Sequence, residues 1–169
     1  MPELTLMCGQ QEHVCASVSC KMYRRYTEIM EQNNGDKVED AFSVNQIILK
    51  EVFRISEREL KKADVTDQLI AVKKIHFTMQ DIITKKFLDL NPEHPEHQEK
   101  SAFDEYDEEE GYNELEEQEN MWKVCRENLD RVVKLCIRAF NDSYTQVMES
   151  DIMSLLDYVA FEILTINEK

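Results

Sequence analysis

Turn-forming residues are scarce in this chain, because glycine and proline each occur only three times in 169 residues. Both numbers are far below ordinary usage. A β-sandwich or β-barrel needs many turns, whereas a few long helices need few connections. A chain of this length is also long enough to bury a substantial core as one domain. The sequence therefore predicts an all-α fold in a single domain that covers residues 1–169.

Apolar residues recur with helical spacing over five stretches of the chain. The predicted helices cover residues 12–32, 40–62, 65–89 and 143–167, and a further helix begins between residues 113 and 121 and runs to about residue 140. Spacings of three and four residues suit antiparallel bundles. Breaks near residues 35 and 141 favour helices that fold back on each other. The predicted architecture is an antiparallel bundle of about five helices, and no β-strand is expected.

The apolar faces of these helices predict the core. In the last two helices, Leu129, Val132, Leu155 and Val159 occupy core positions. The face of the third helix is predicted to contain Val65, Leu69, Val72, His76, Met79 and Ile83, widened by Ile75 and Ile82. On that face, His76 is expected to be a hydrogen-bonded core residue rather than a metal ligand or a base.

Charge is concentrated in one segment. Residues 91–120 hold 13 acidic side chains and one basic side chain, Lys100. The segment thus carries −12 of the total charge of −15, which leaves about −3 for the rest of the chain. Mutual repulsion and low apolar content predict a disordered acidic loop over residues 91–115, between the third and fourth helices. Such a block points to a basic partner or to a basic face of the protein itself.

Aromatic residues alternate with carboxylates inside this block, in the stretch AFDEYDEEEGYNEL. Rings supply contact area, and carboxylates supply long-range attraction to a basic surface. The predicted partner-binding residues are Phe103, Tyr106, Glu108, Glu109, Glu110 and Tyr112. The alternative interpretation is a solubilising linker in which the aromatic residues are incidental, and the sequence leaves both interpretations open.

Sequence motifs for catalysis or cofactor binding are absent. The chain has no glycine-rich phosphate loop, no G-x-S-x-G and no H-E-x-x-H. It also lacks the Glu-x-x-His pairs on apolar faces that di-iron bundles use. His94 and His97 lie beside glutamates, but the neighbouring prolines prevent a helical ligand geometry, so a solvated turn is favoured over a metal site. The sequence predicts no catalytic residues, no metal and no cofactor, and hence a protein that is not an enzyme.

The five cysteines are an odd number and include no C-x-x-C pair. They are expected to be reduced thiols that pack as small core residues. The N-terminal residues lack the basic and apolar regions of a signal peptide, and the longest apolar runs are only four residues, far shorter than a membrane span. The expected localisation is cytoplasmic or nuclear.

These observations predict a non-catalytic intracellular module for protein–protein interaction, such as an adaptor or assembly subunit. Binding would use a surface or groove between helices, or the acidic–aromatic segment. One alternative is an acidic chaperone or DNA mimic that binds a basic partner such as histones. Another is a Bcl-2-like helix-groove regulator, but the Asn-Trp-Gly-Arg stretch typical of that class is missing, and no family resemblance is drawn.

The expected partner is another protein with a basic surface or an amphipathic helix. Direct binding to nucleic acid or to a membrane is not expected, and the oligomeric state stays open. Paired lysines at 61–62, 73–74 and 85–86 are expected to form a solvated face or an internal docking strip for the acidic loop.

Overall fold

The structure is a computed structural model, and it describes residues 3–33, 41–87 and 121–167, with side chains as far as residue 162. Over these residues the chain is mostly helical and also contains a small two-stranded sheet. The predicted acidic loop over residues 91–115 lies outside them, as does the predicted break near residue 35. No helix within the described ranges is long and apolar enough to cross a membrane.

The N-terminal region forms a β-hairpin, so the all-α prediction is wrong there. Strands β1 (Leu4–Cys8) and β2 (Gln11–Cys15) pair antiparallel, with Cys8 opposite Gln11. Gly9 opens the two-residue turn with a φ of 68°, as glycine-first hairpin turns require. Alternate residues of β1 are buried, which is the pattern of a strand with one face on the core.

Helix α1 (Cys20–Gln32) begins later than predicted, because residues 12–15 belong to the hairpin. The Ser19 side chain accepts a hydrogen bond from the Met22 amide and caps its N-terminus. Backbone hydrogen bonds of 3.0 Å and 2.9 Å join residues 18–20 to residues 150–152 in an isolated bridge. This bridge fixes the start of α1 beside the start of the last helix.

The predicted second helix divides into α2 (Ala41–Phe53) and α3 (Glu57–Leu60). Arg54 follows α2 with a φ of 52°, and the Ile55 amide donates to the Lys50 carbonyl at 3.2 Å. This pattern is a Schellman C-cap. A capping box between Ser56 and Glu59 then starts α3.

Helix α4 (Val65–Asp81) is capped by Asp64, whose carboxylate accepts from the Thr66 amide at 2.7 Å. It continues directly into a π-helical segment over Ile82–Phe87. Helix α4 packs against β1 and α2, and the π-helical segment packs against the last helix. The predicted helix over residues 65–89 is therefore confirmed over most of its length, although its last six described residues are π-helical.

The C-terminal part contains α5 (Met121–Ala139), α6 (Tyr144–Glu149) and α7 (Ile152–Asn167). A capping box between Ser143 and Gln146 starts α6, just after the predicted break near residue 141. The predicted single helix over 143–167 is interrupted at Ser150 and Asp151. The Asp151 carboxylate accepts from the Ser154 amide at 2.9 Å, which gives α7 its own cap.

One cluster of buried side chains receives residues from the hairpin and from each of the seven α-helices in the described ranges. The four predicted core residues Leu129, Val132, Leu155 and Val159 are all buried, which confirms those two faces. Helices α1 and α5 form the most extensive helix–helix contact. Ion pairs Arg126–Glu31 and Arg24–Asp130 lie along this contact.

Candidate functional site

The residues predicted to bind a partner, Phe103, Tyr106, Glu108, Glu109, Glu110 and Tyr112, all lie outside the residues that the structure describes. The structure therefore places none of them. Candidate sites within the described ranges are exposed apolar surfaces and clefts, and two of these stand out.

The first is an apolar surface on the outer side of α4. Val65, Leu69, Ile70 and Phe77 expose 56%, 54%, 50% and 63% of their surface. At 100° per residue these four lie on the side of the helix opposite Ala71, Ile75 and Ile82, which are buried. We call these four residues the α4 stripe. Helix α4 is thus apolar on both sides, and among the residues that the structure describes only one side is buried against the core.

This arrangement corrects the predicted face of the third helix. Val65 and Leu69 were expected in the core together with Val72 and Met79, but only the latter two are buried. The buried side chains of α4, among them Val72, Ile75 and Met79, lie in the part of the core where the helix packs against β1 and α2, whereas Val65 and Leu69 are exposed. The predicted apolar face did not include Ile70 or Phe77. Apolar residues occur all around this helix in the sequence. Such a distribution does not by itself indicate which side packs against the core.

Lysines lie within the α4 stripe rather than beside acidic residues. The Lys73 ammonium lies 5.7 Å from the centroid of the Phe77 ring, which is a cation–π distance. The helical neighbours of Lys73 at three and four residues are Leu69, Ile70, His76 and Phe77, and none is acidic. Within the described ranges, neither Lys73 nor Lys74 forms an ion pair. The stripe therefore combines exposed apolar area with cationic charge that no near neighbour on the helix offsets.

Aromatic side chains of α1 and α5 pack around the half-buried His76 of α4, and one of them, Tyr26, is buried. The Tyr26 hydroxyl and His76 Nδ1 lie 2.6 Å apart, and the Trp122 ring meets the Tyr26 ring edge-on at 5.7 Å. Burial lowers the pKa of His76, so the ring is neutral at pH 7. Burial, with a smaller contribution from Cys125, raises the pKa of Tyr26. His76 is thus the hydrogen-bonded core histidine that the sequence predicted.

Tyr23 extends this buried cluster toward the C-terminal end of α4. Its ring centroid lies 5.7 Å from that of Phe87 in the π-helical segment. Burial is the main cause of its raised pKa, and the adjacent Cys125 thiol adds to it. The hydroxyl lies beside that thiol without a hydrogen bond of normal geometry. The cluster fixes α1, α4 and α5 together, and its role is structural.

The second candidate is a cleft of about 510 Å³ between α1 and the end of α2. Its charged lining residues are Lys21, Arg24, Arg25, Arg54, Glu28, Glu51 and Glu149. Three of the four cations are paired with these acids, at 3.5 Å for Lys21–Glu149, 3.5 Å for Arg24–Glu28 and 3.4 Å for Arg25–Glu51. Most of the charge in the cleft is therefore neutralised internally. A ligand there would have to displace these pairs, so we favour the α4 stripe.

In comparisons with known proteins, the chain matches no protein-family model, no curated protein and no solved structure. Across the described ranges, no group of three or more histidine, cysteine, aspartate or glutamate side chains is placed to hold a metal ion. The α4 stripe is accordingly the candidate site that the described geometry favours.

Proposed function

We propose that this protein is a non-catalytic module for protein–protein interaction, an adaptor or assembly subunit, and that the α4 stripe is a partner-binding surface. One observation carries the proposal. Four large apolar side chains on one side of a capped, well-packed helix each expose half or more of their surface. Contiguous apolar surface of this kind marks interaction sites more often than scattered single residues do.

The energetics of burial support this use of the α4 stripe. Covering a large apolar side chain that was exposed stabilises a complex by roughly 1.5–3 kcal/mol before the costs of association. Phe77 is the most exposed of the four and the only aromatic one, so it is the natural anchor. The inner side of α4 is fixed by core contacts, so a partner meets a preorganised surface and little ordering entropy is lost.

The remaining parts of the proposal concern arrangement and context. We propose that the long helices form an antiparallel bundle and that the protein acts in the cytoplasm or nucleus. The acidic–aromatic segment is proposed as a second contact region, in which Glu108, Glu109 and Glu110 raise the association rate with a basic partner. The sequence charge of residues 91–120 supports this second part.

The test compares two Phe→Ala variants against a partner purified from cell extract with the full chain. Phe77→Ala removes the proposed anchor, and Phe42→Ala is its matched control because Phe42 is 52% exposed on α2. Calorimetry should show binding weakened about tenfold to a hundredfold by Phe77→Ala, since each tenfold loss corresponds to roughly 1.4 kcal/mol. Phe42→Ala should change the Kd less than about twofold, as a residue away from the contact does.

Thermal melting of both variants checks that the fold is intact, since both side chains are exposed and neither should lower the Tm much. Equal Kd values for the two variants and the parent protein would exclude the α4 stripe as the partner-binding surface.

A further inference from the structure

The α4 stripe has a chemical complement within the same chain. The stripe offers apolar area together with Lys73 and Lys74, and a matching ligand would present rings flanked by carboxylates. The stretch from residue 103 to residue 112 contains Phe103, Tyr106 and Tyr112 among six acidic residues and no basic residue. We infer that residues 103–112 of the same chain are the occupant of the α4 stripe until a partner displaces them. The inference rests on the surface proposed above and concerns its regulation.

The two ends of the intervening chain leave the described structure close to the stripe. The π-helical segment ends at Phe87, ten residues or about 15 Å beyond Phe77 at 1.5 Å per residue. On the return side, the Trp122 and His76 rings both lie 5.7 Å from the Tyr26 ring. The first turn of α5 therefore contacts the same tyrosine as His76, which immediately precedes Phe77 in α4.

The chain length is sufficient to span these distances. Phe103 follows Phe87 by sixteen positions, and an extended chain of that length reaches about 50 Å. Met121 follows Tyr112 by nine positions, which corresponds to about 30 Å of extended chain. The acidic–aromatic residues therefore reach the whole stripe from both ends without any change in the described helices.

Tethering makes even a weak contact effective. A short flexible connection gives a linked segment an effective concentration in roughly the millimolar range. A contact with a Kd of that order is then occupied about half of the time, although the same peptide in trans would scarcely bind at micromolar concentration. The charge part of the contact acts over about 8 Å at physiological ionic strength, so salt should release the segment. A partner that binds both the stripe and the acidic block would gain from displacing it.

The test uses the full chain, labelled at isoleucine, leucine and valine methyl groups, and observes the NMR signals of Val65, Leu69 and Ile70. The first variant replaces Phe103, Tyr106 and Tyr112 with Ala, and the second replaces Glu108, Glu109 and Glu110 with Gln. A matched control replaces Glu93, Glu96 and Glu99 with Gln, which removes the same charge from the same acidic block outside residues 103–112. The exposed Val14 methyl groups on β2 are the internal reference.

The expected result is a shift of the stripe methyl signals in the first two variants, because they lose the ring currents of the docked aromatic residues. Those signals should stay unchanged in the matched control, and the Val14 signals should stay unchanged throughout. Unchanged stripe signals in all variants, or equal shifts in the matched control, would overturn the inference. Shifts that disappear on roughly tenfold dilution of the parent protein would assign the contact to a second copy and overturn it too.

These outcomes are separable from those of the proposed function. Weakened partner binding by Phe77→Ala with unchanged methyl signals removes the segment as occupant and keeps the stripe as a partner site. Methyl shifts with no effect of Phe77→Ala on partner binding support the intramolecular contact and remove the partner site.

Discussion

At the scale of single residues, the five cysteines behave as small apolar core side chains. All five are buried. Burial is the main cause that raises the pKa of each thiol, to about 12 for Cys20. The thiolate is the reactive form of cysteine, so these raised pKa values make the thiols poor nucleophiles. The prediction that they pack as core residues is confirmed.

Leu129 and Leu135 test the assignment of the core on α5. Leu129 is fully buried, whereas Leu135 on the same helix is 37% exposed. Leu129→Ala should lower the free energy of unfolding by about 2–5 kcal/mol, through lost burial and a residual cavity. Leu135→Ala makes the same chemical change at a partly exposed position and should cost less than about half as much. Urea denaturation measures both, and similar losses would show that the buried face of α5 is misassigned.

At the scale of elements, several helices begin at capping motifs that can be recognised in the sequence. Ser56 with Glu59, and Ser143 with Gln146, form capping boxes, and Asp64 caps α4. Each depends on residues within four positions, so the sequence predicts such boundaries well. The glycine at position 9 was an equally local signal for the hairpin turn. It was missed because each strand has only five residues, and apolar spacing across β2 into α1 also fits a helix.

The C-terminal cap of α2 has a residue that strains its backbone. Arg54 adopts the left-handed region, which costs most non-glycine residues roughly 1–2 kcal/mol. Arg54→Gly should therefore raise the free energy of unfolding by about 0.5–1 kcal/mol, after the greater entropy of glycine in the unfolded chain is deducted. Asn141→Gly is the control, since Asn141 has a φ of 60° and asparagine tolerates this region. A loss of stability in Arg54→Gly, or a larger gain in Asn141→Gly, would contradict the assignment of strain.

At the scale of the whole molecule, one junction of aromatic side chains connects the N-terminal, central and C-terminal helices. Tyr26 of α1, His76 of α4 and Trp122 of α5 meet there, and Tyr26 is hydrogen-bonded to His76 Nδ1. Tyr26 and His76 are 50 residues apart in sequence, and His76 and Trp122 are 46 residues apart. Its integrity therefore reports on the tertiary arrangement rather than on any single helix.

This junction predicts a component of acid sensitivity. Burial lowers the pKa of His76 below its ordinary value of 6.5, so the unfolded chain takes up the proton first as the pH falls. The free energy of unfolding should then decrease as the pH falls below about 6.5, because the unfolded state binds more protons. His76→Gln should reduce the slope of unfolding free energy against pH in urea titrations carried out below about pH 6.5. An unchanged slope would show that His76 is not desolvated in the folded state.

The sequence by itself determined the helical content, most helix boundaries and the core faces of α5 and α7. These features follow from spacing and capping, which act over a few residues. It also determined the charge of the acidic block. Only the tertiary structure decided which side of α4 is covered. Apolar residues surround that helix, so its periodicity fits more than one buried face, and contact with β1 and α2 selects the one that contains Ile75. The α4 stripe lies on the opposite, exposed side of the helix.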